Sequence, residues 1–260
     1  MIKILFKKVF YESWDNFYKL LIINIPVAAV VLPSLYLVYA ALSIPMFVIP
    51  LLVIITFLLN LYFGVVSGCA NSMLHREQLD LKKYLSFFKI SLIPAFVLTL
   101  ISLFILCVFL LAIPFYVKIG GFPGFFASSI IFWASVLWLL SSQFYWPLYY
   151  LEKNKQKDIL KKSIALLFDN KRLALLLAFI FIIYTAFSVF TGFLLPGISF
   201  VSYIQQCGVN MLLKKYSYLN TLSGKGQFPK KNIPWRIILE QDFLELENRT
   251  LKNVIFPWKD

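Results

Sequence analysis

The chain has 260 residues, of which 60% are hydrophobic, 18% aromatic and only 14% charged; an ordinary soluble domain carries about 45–50% apolar residues, so the composition excludes that class and points to a polytopic membrane protein. A formal net charge of +13 would suggest nucleic-acid binding in a soluble chain, but here the basic residues interrupt membrane-length apolar runs and read as topology signals. Cys69, Cys107 and Cys207 fall in apolar segments without CxxC or Cys/His spacing, which argues against a disulfide framework and against any metal site.

Taken in chain order, Ile2, Leu5, Phe6, Val9 and Phe10 recur at helical spacing with Lys3, Lys7 and Lys8 off that face. Residues 2–16 are thus expected to form an amphipathic helix lying on the inner leaflet. The apolar run from Leu20 to Leu42 is too long for a cleaved signal and reads as a retained first span. A second span at about 46–72 follows the turn Ser43-Ile44-Pro45. A polar connection, His75 to Lys89, leads to a third span at about 90–117, and the turn around Gly120, Gly121 and Gly124 leads to a fourth at about 125–151. Residues 155–168 repeat the amphipathic pattern, a fifth span is expected at about 173–195, and a short sixth at about 198–213. The fold class is therefore all-α: a bundle of about six membrane helices with amphipathic cytoplasmic helices and a helical C-terminal tail, divided into a membrane domain 1–216 and a tail 217–260.

Charge placement supports this threading. Of the 25 Lys and Arg residues, 4 precede the first span, 4 lie between spans two and three, 7 between spans four and five, and 9 follow Leu213. Lys118 alone falls in a turn assigned outside. The positive-inside rule then places both termini in the cytoplasm of a multi-pass inner-membrane protein. No Asp, Glu, Lys, Arg or His lies within an expected span, which argues against a proton relay. No nucleophile–histidine pair or phosphate loop is present, and Glu240, Asp242, Glu245 and Glu247 read as the polar face of a tail helix. The expectation is a protein without enzymatic chemistry, cofactor or nucleic-acid partner.

Within the spans, amide and hydroxyl groups remain. Asn24, Gln143, Gln205 and Gln206 lie at similar expected depths, where they either hydrogen-bond between helices as structural glue or form a small polar pocket. Tyr145, Trp146, Tyr149 and Tyr150 read as an interfacial aromatic belt. Asp15-Asn16 and Asp169-Asn170 precede apolar runs and suit helix starts. In the tail, Pro234 opens a helix running to near Asn253, with Trp235, Ile238, Leu239, Phe243 and Leu246 on one face. Pro234-Trp235 and Pro257-Trp258 bracket it, as membrane anchors or as partner-docking elements. The tail is too small for a core of its own and has to lean on something.

The run from Trp146-Pro147-Leu148 through Lys155–Lys162, then Ala165-Leu-Leu-Phe-Asp-Asn170 and the apolar helix ending Leu195-Pro196-Gly197, resembles the YesL-like family of small bacterial membrane proteins. The order of amphipathic segments and hairpins over residues 1–216 is similar to that family, and the tail departs from its short-ended pattern. Members are often encoded beside carbohydrate-import ABC transporters, so the resemblance implies an accessory or scaffold role with transporter subunits or another membrane complex as partner, in addition to the lipid bilayer. The alternative is a permease for a small neutral solute that uses the amide layer.

Overall fold

The computed structural model describes residues 1–41, 45–152, 154–192, 197–224, 233–247 and 249. All regular structure among them is helical. In order the helices are α1 (Ile2–Asp15), α2 (Phe17–Ala41), α3 (Pro45–Leu74), α4 (Leu81–Ile119), α5 (Gly121–Ser142), α6 (Tyr145–Glu152), α7 (Gln156–Asp169), α8 (Lys171–Phe190), α9 (Gly197–Gly224), α10 (Trp235–Ile238) and α11 (Glu240–Glu247).

Four described stretches are long and apolar enough to cross a membrane: Val48–Leu74 in α3, all of α4, Gly121–Glu152 across α5 and α6, and α8. A hydrocarbon core about 30 Å thick needs roughly 20 residues of helix, and each meets that length. The expected count of six is not reached. The first expected span lies in α2, much of whose apolar run falls outside the described side chains. The sixth differs in kind. α9 is a helix of 28 residues carrying Ser199, Ser202, Gln205, Gln206 and Asn210, and it packs on α1, α2, α3, α6, α8 and α10. Its residues from Val201 to Val209 are all buried, so it is the axis of the bundle. A helix sheathed by protein has no need of a uniformly apolar surface, and small or polar residues suit close interhelical packing.

Helix boundaries follow local chemistry. α1 and α2 are separated by Asn16, whose Nδ2 turns back to the Glu12 carbonyl at 2.9 Å; α7 and α8 are separated by Asn170, whose Nδ2 reaches the Leu166 carbonyl at 3.4 Å. Both side chains therefore bond back to the helix they end, while the Asn16 and Asn170 carbonyls accept from the Leu20 and Ala174 N–H groups of the next, so the expected helix starts stand without side-chain caps. The stretch 81–89 has no such breaker, so the end of the His75–Lys89 connection and the third span form one helix of 39 residues. The fourth expected span is broken instead. Pro147 lacks the N–H that would reach the Gln143 carbonyl, and its ring crowds that carbonyl, so α5 ends at Ser142 and α6 restarts at Tyr145.

The aromatic cluster on α6 is core, which overturns the expected interfacial belt: Tyr145, Trp146 and Tyr150 are buried and Tyr149 is half-buried. The reason lies on α3, where Gly64 and Gly68 are one helical turn apart. A Cβ at Gly64 would stand 2.6 Å from the Trp146 ring, and one at Gly68 would stand 2.8 Å from Phe87 and 2.9 Å from Tyr150. The two glycines form a groove that takes the indole and the Phe87–Tyr150 edge-to-face pair, whose centroids are 5.6 Å apart. One buried hydroxyl pair lies here, with Ser91 Oγ and Tyr150 Oη 2.8 Å apart, whereas the buried Tyr145 Oη and Trp146 Nε1 have no hydrogen-bond partner among the described residues. Ahead of Pro26 in α2, the Ile23 carbonyl accepts from the Tyr62 hydroxyl and the Leu20 carbonyl from Ser199 Oγ at 2.9 Å. Backbone acceptors near the prolines of a membrane helix find such partners within the bundle.

Candidate functional site at the basic end of the bundle

The strongest concentration of chemistry is where α1, α9 and the tail meet. Leu5 and Val9 of α1 pack into the core, while Phe6 and Phe10, also on the expected apolar face, stay exposed, as does Trp14. That rotation carries Lys8 inward, to 8% exposure, so the expectation that this lysine lies off the buried face is corrected. Asp242 of α11 is likewise buried at 6%, against its expected place on a solvated acidic face. Lys8 Nζ lies 2.5 Å from Asp242 Oδ1, and Lys214 Nζ of α9 lies 2.8 Å from Oδ2. One carboxylate thus bridges two ammonium groups from two helices.

The network continues through Glu12. Its Oε1 is 3.7 Å from Lys8 Nζ, and its Oε2 accepts from the buried Tyr203 hydroxyl at 2.5 Å. Burial raises the Glu12 carboxyl above the usual range, against the opposing pull of Lys8 and the Tyr203 hydroxyl. For Asp242, burial is outweighed by hydrogen bonds from Lys214 and Lys8, and the carboxyl is held below its ordinary range. For Lys8, burial works against the ammonium, but Glu12 and Asp242 together hold its pKa above the usual value. Around this centre, Lys7 Nζ donates to the Leu246 carbonyl at 2.7 Å and Tyr11 Oη to the Arg249 carbonyl at 3.1 Å. Arg249 pairs with Asp15 at 2.7 Å, and Arg76, from the α3–α4 connection, pairs with Glu245 at 2.7 Å.

The tail therefore leans on its own protein. Its described part is two short helices broken at Leu239 instead of one, the expected end near Asn253 lying outside the described residues, and Leu239 and Leu246 are the apolar residues it buries most deeply. Pro234 and Trp235 are half-buried, with Trp235 packed against the core. Pro257 and Trp258 lie outside the described residues. Tyr216 of α9 accepts from Asn170 Nδ2 at 2.8 Å and donates to Asp169 Oδ2 at 3.2 Å. The α1, α3–α4, α7–α8 and tail segments are gathered at one end of the bundle.

Three of the four amide residues are placed at separate helix contacts. Asn24 Oδ1 on α2 accepts from the Ser199 N–H of α9 at 3.0 Å. Gln206 on α9 accepts from Ser67 Oγ at 3.2 Å and donates to Asn71 Oδ1 at 2.9 Å, both on α3. Gln143 Nε2 donates to the Leu140 and Ala174 carbonyls at 2.8 and 2.9 Å, tying α5 to α8. Gln205 is buried next to Gln206 in sequence. Interhelical bonds of this kind average about 0.6 kcal/mol, so Gln143→Leu should lower detergent-phase stability by roughly that amount, measured as a small shift of the unfolding midpoint. A loss of several kcal/mol would mean that the side chain does more than join α5 to α8.

Helical content, apolar length and buried interhelical polar pairs together define an α-helical integral membrane protein. No protein-family profile, curated protein or solved structure matches the chain, so the YesL-like resemblance rests on the sequence motifs alone. Sequence reasoning missed Lys8, Asp242, Lys214 and the glycine groove. Only the glycines had a legible signal, a Gly-x-x-x-Gly spacing in an apolar helix.

Proposed function

We propose that the protein is a membrane accessory or scaffold subunit whose tail presents a docking face to a partner membrane complex, with six passes and both termini in the cytoplasm. The observation that carries this reading is the buried Lys8–Asp242–Lys214 clamp. It holds α10 and α11 in one orientation while Ile237 and Leu244 remain 64% and 61% exposed. An ordered tail with large apolar side chains turned outward is what a docking element requires, because ordering before contact reduces the entropy lost on binding. α9, shielded by its neighbours, crosses as the central helix despite its polar residues. In this reading the partner is a transporter or similar complex, as the YesL-like resemblance implies, and no catalysis is involved.

The permease alternative is less well supported, because Asn24, Gln143 and Gln206 already spend their hydrogen bonds between helices. The test is purification from the native membrane in mild detergent followed by mass spectrometry, comparing the full chain with an Ile237→Glu/Leu244→Glu variant. A stoichiometric membrane partner that is retained by the first and lost from the second is the expected result. Solute flux from the purified chain reconstituted alone would overturn the accessory reading in favour of the permease.

A further inference from the structure

A second feature of the basic end lies apart from the clamp. Between α1, the α7–α8 junction, Lys215 of α9 and the start of α10 is a cleft of about 930 Å³. Its polar lining includes Lys3, Lys171, Arg172 and Lys215, with Asp169 the one carboxylate among the lining residues. Asp169 is engaged by the Tyr216 hydroxyl at 3.2 Å. Among the described residues none of the four cations has an ion-pair partner, and Lys215 Nζ meets only the neutral Asn170 Oδ1 at 3.1 Å and the Tyr216 ring. Burial holds the Lys215 ammonium below its usual range, with Asp169 pulling the other way. The apolar wall includes Phe168 and Trp235.

We propose that this cleft binds the phosphodiester headgroup of an anionic phospholipid. Position selects the lipid over a free anion: α8 is apolar enough to span a membrane from Lys171 onward, so Lys171 and Arg172 stand where the hydrocarbon ends and phosphates begin. Charge selects an anionic headgroup, since four cations face one engaged carboxylate, and a guanidinium matches phosphate oxygens in a fork. The first turn of α8 adds the positive end of its helix dipole. The apolar wall takes the glyceryl region and upper acyl chain, which a free phosphate lacks. The cleft thereby ties α1, α8 and the tail to one lipid.

The test uses the full chain in a neutral detergent, titrated with phosphatidylglycerol, phosphatidylcholine or inorganic phosphate, with bound lipid counted by native mass spectrometry. Phosphatidylglycerol should bind saturably and phosphatidylcholine much more weakly. At roughly fivefold per cation near an anionic lipid surface, Lys171→Gln/Arg172→Gln should weaken binding about twenty- to thirtyfold and Lys3→Gln alone about fivefold. Lys171 and Arg172 are exposed, so their replacement leaves the fold intact. Lys157→Gln/Lys161→Gln removes the same charge from exposed positions of α7 outside the cleft and should change little. Equal losses from both double variants would overturn the site in favour of diffuse attraction. Phosphatidylcholine binding as tightly, or inorganic phosphate displacing the lipid at similar concentration, would overturn the assigned ligand.

Discussion

Asp242→Asn should release the tail from the bundle. The substitution keeps the shape of the side chain and removes the one charge that faces both Lys8 and Lys214. Lys8 is then left buried with only Glu12, 3.7 Å away. Removing one partner of a buried ion pair costs about 3–5 kcal/mol, because the remaining charge stays desolvated. At the lower end, since Lys214 is partly exposed and regains water, tail docking should weaken by roughly a hundredfold. Hydrogen exchange at the α11 amides reports this directly. Glu245→Gln is the comparison: it breaks only the pair with Arg76, whose side chains are both exposed, and such pairs contribute under about 1 kcal/mol. Equal exchange in the two variants would mean that the clamp does not hold the tail.

The same network sets the pH dependence of docking. The lowered Asp242 value contributes stability that is present above the unfolded carboxyl pKa and is lost as pH falls through the folded value. The raised Lys8 value contributes stability that is present below the unfolded lysine pKa and is lost as pH rises through the folded value. Glu12, also raised, favours docking below its unfolded pKa, and that contribution is lost as pH rises through its folded value. The tail should therefore protect best from weakly acidic to neutral pH, and release below about pH 4 and above about pH 10. Asp242→Asn should abolish the acid-side transition.

Gly197→Ala should unfold the start of α9. Gly197 has φ +64°, a left-handed backbone that costs an L-residue about 1–2 kcal/mol. An added Cβ would also run into the Asn24 side-chain amide, the group that accepts from the Ser199 N–H. Displacing it breaks the α2–α9 contact and strands buried polar atoms, for a combined loss of about 3 kcal/mol. Gly192→Ala separates the two effects. Gly192 has φ +61° but open space around its Cβ position, so only the backbone cost of about 1 kcal/mol applies. The difference between the two unfolding midpoints in detergent measures the Asn24 clash, and its absence would remove Asn24 from the α2–α9 contact.

Much of the fold was legible because it is local. Apolar run length marked α3, α4, α5 with α6, and α8, since a bilayer sets a minimum length for any chain crossing it. Helical spacing marked α1 and α7, and the Asp-Asn pairs marked where α2 and α8 begin. The break at Gln143 was written in Pro147 but was masked by the apolar run around it. Of the amide residues of the candidate layer, Asn24, Gln205 and Gln206 are buried, yet depth along separate helices says nothing of which helices adjoin, and three of the four are committed to different neighbours.

What the sequence by itself determined is the solvent: a chain this apolar, with its charges confined to a few connecting stretches, buries its backbone in helices because a membrane interior leaves no other partner for its N–H and C=O groups. What only the tertiary structure decided is which of those charges leave water. Periodicity locates a residue on its own helix but carries no information about what covers that face. Lys8 and Asp242 are 234 residues apart, and each alone reads as a solvated charge. Their burial follows from α9 standing at the centre of the bundle with α1 and the tail folded against its basic end, an arrangement set by long-range packing.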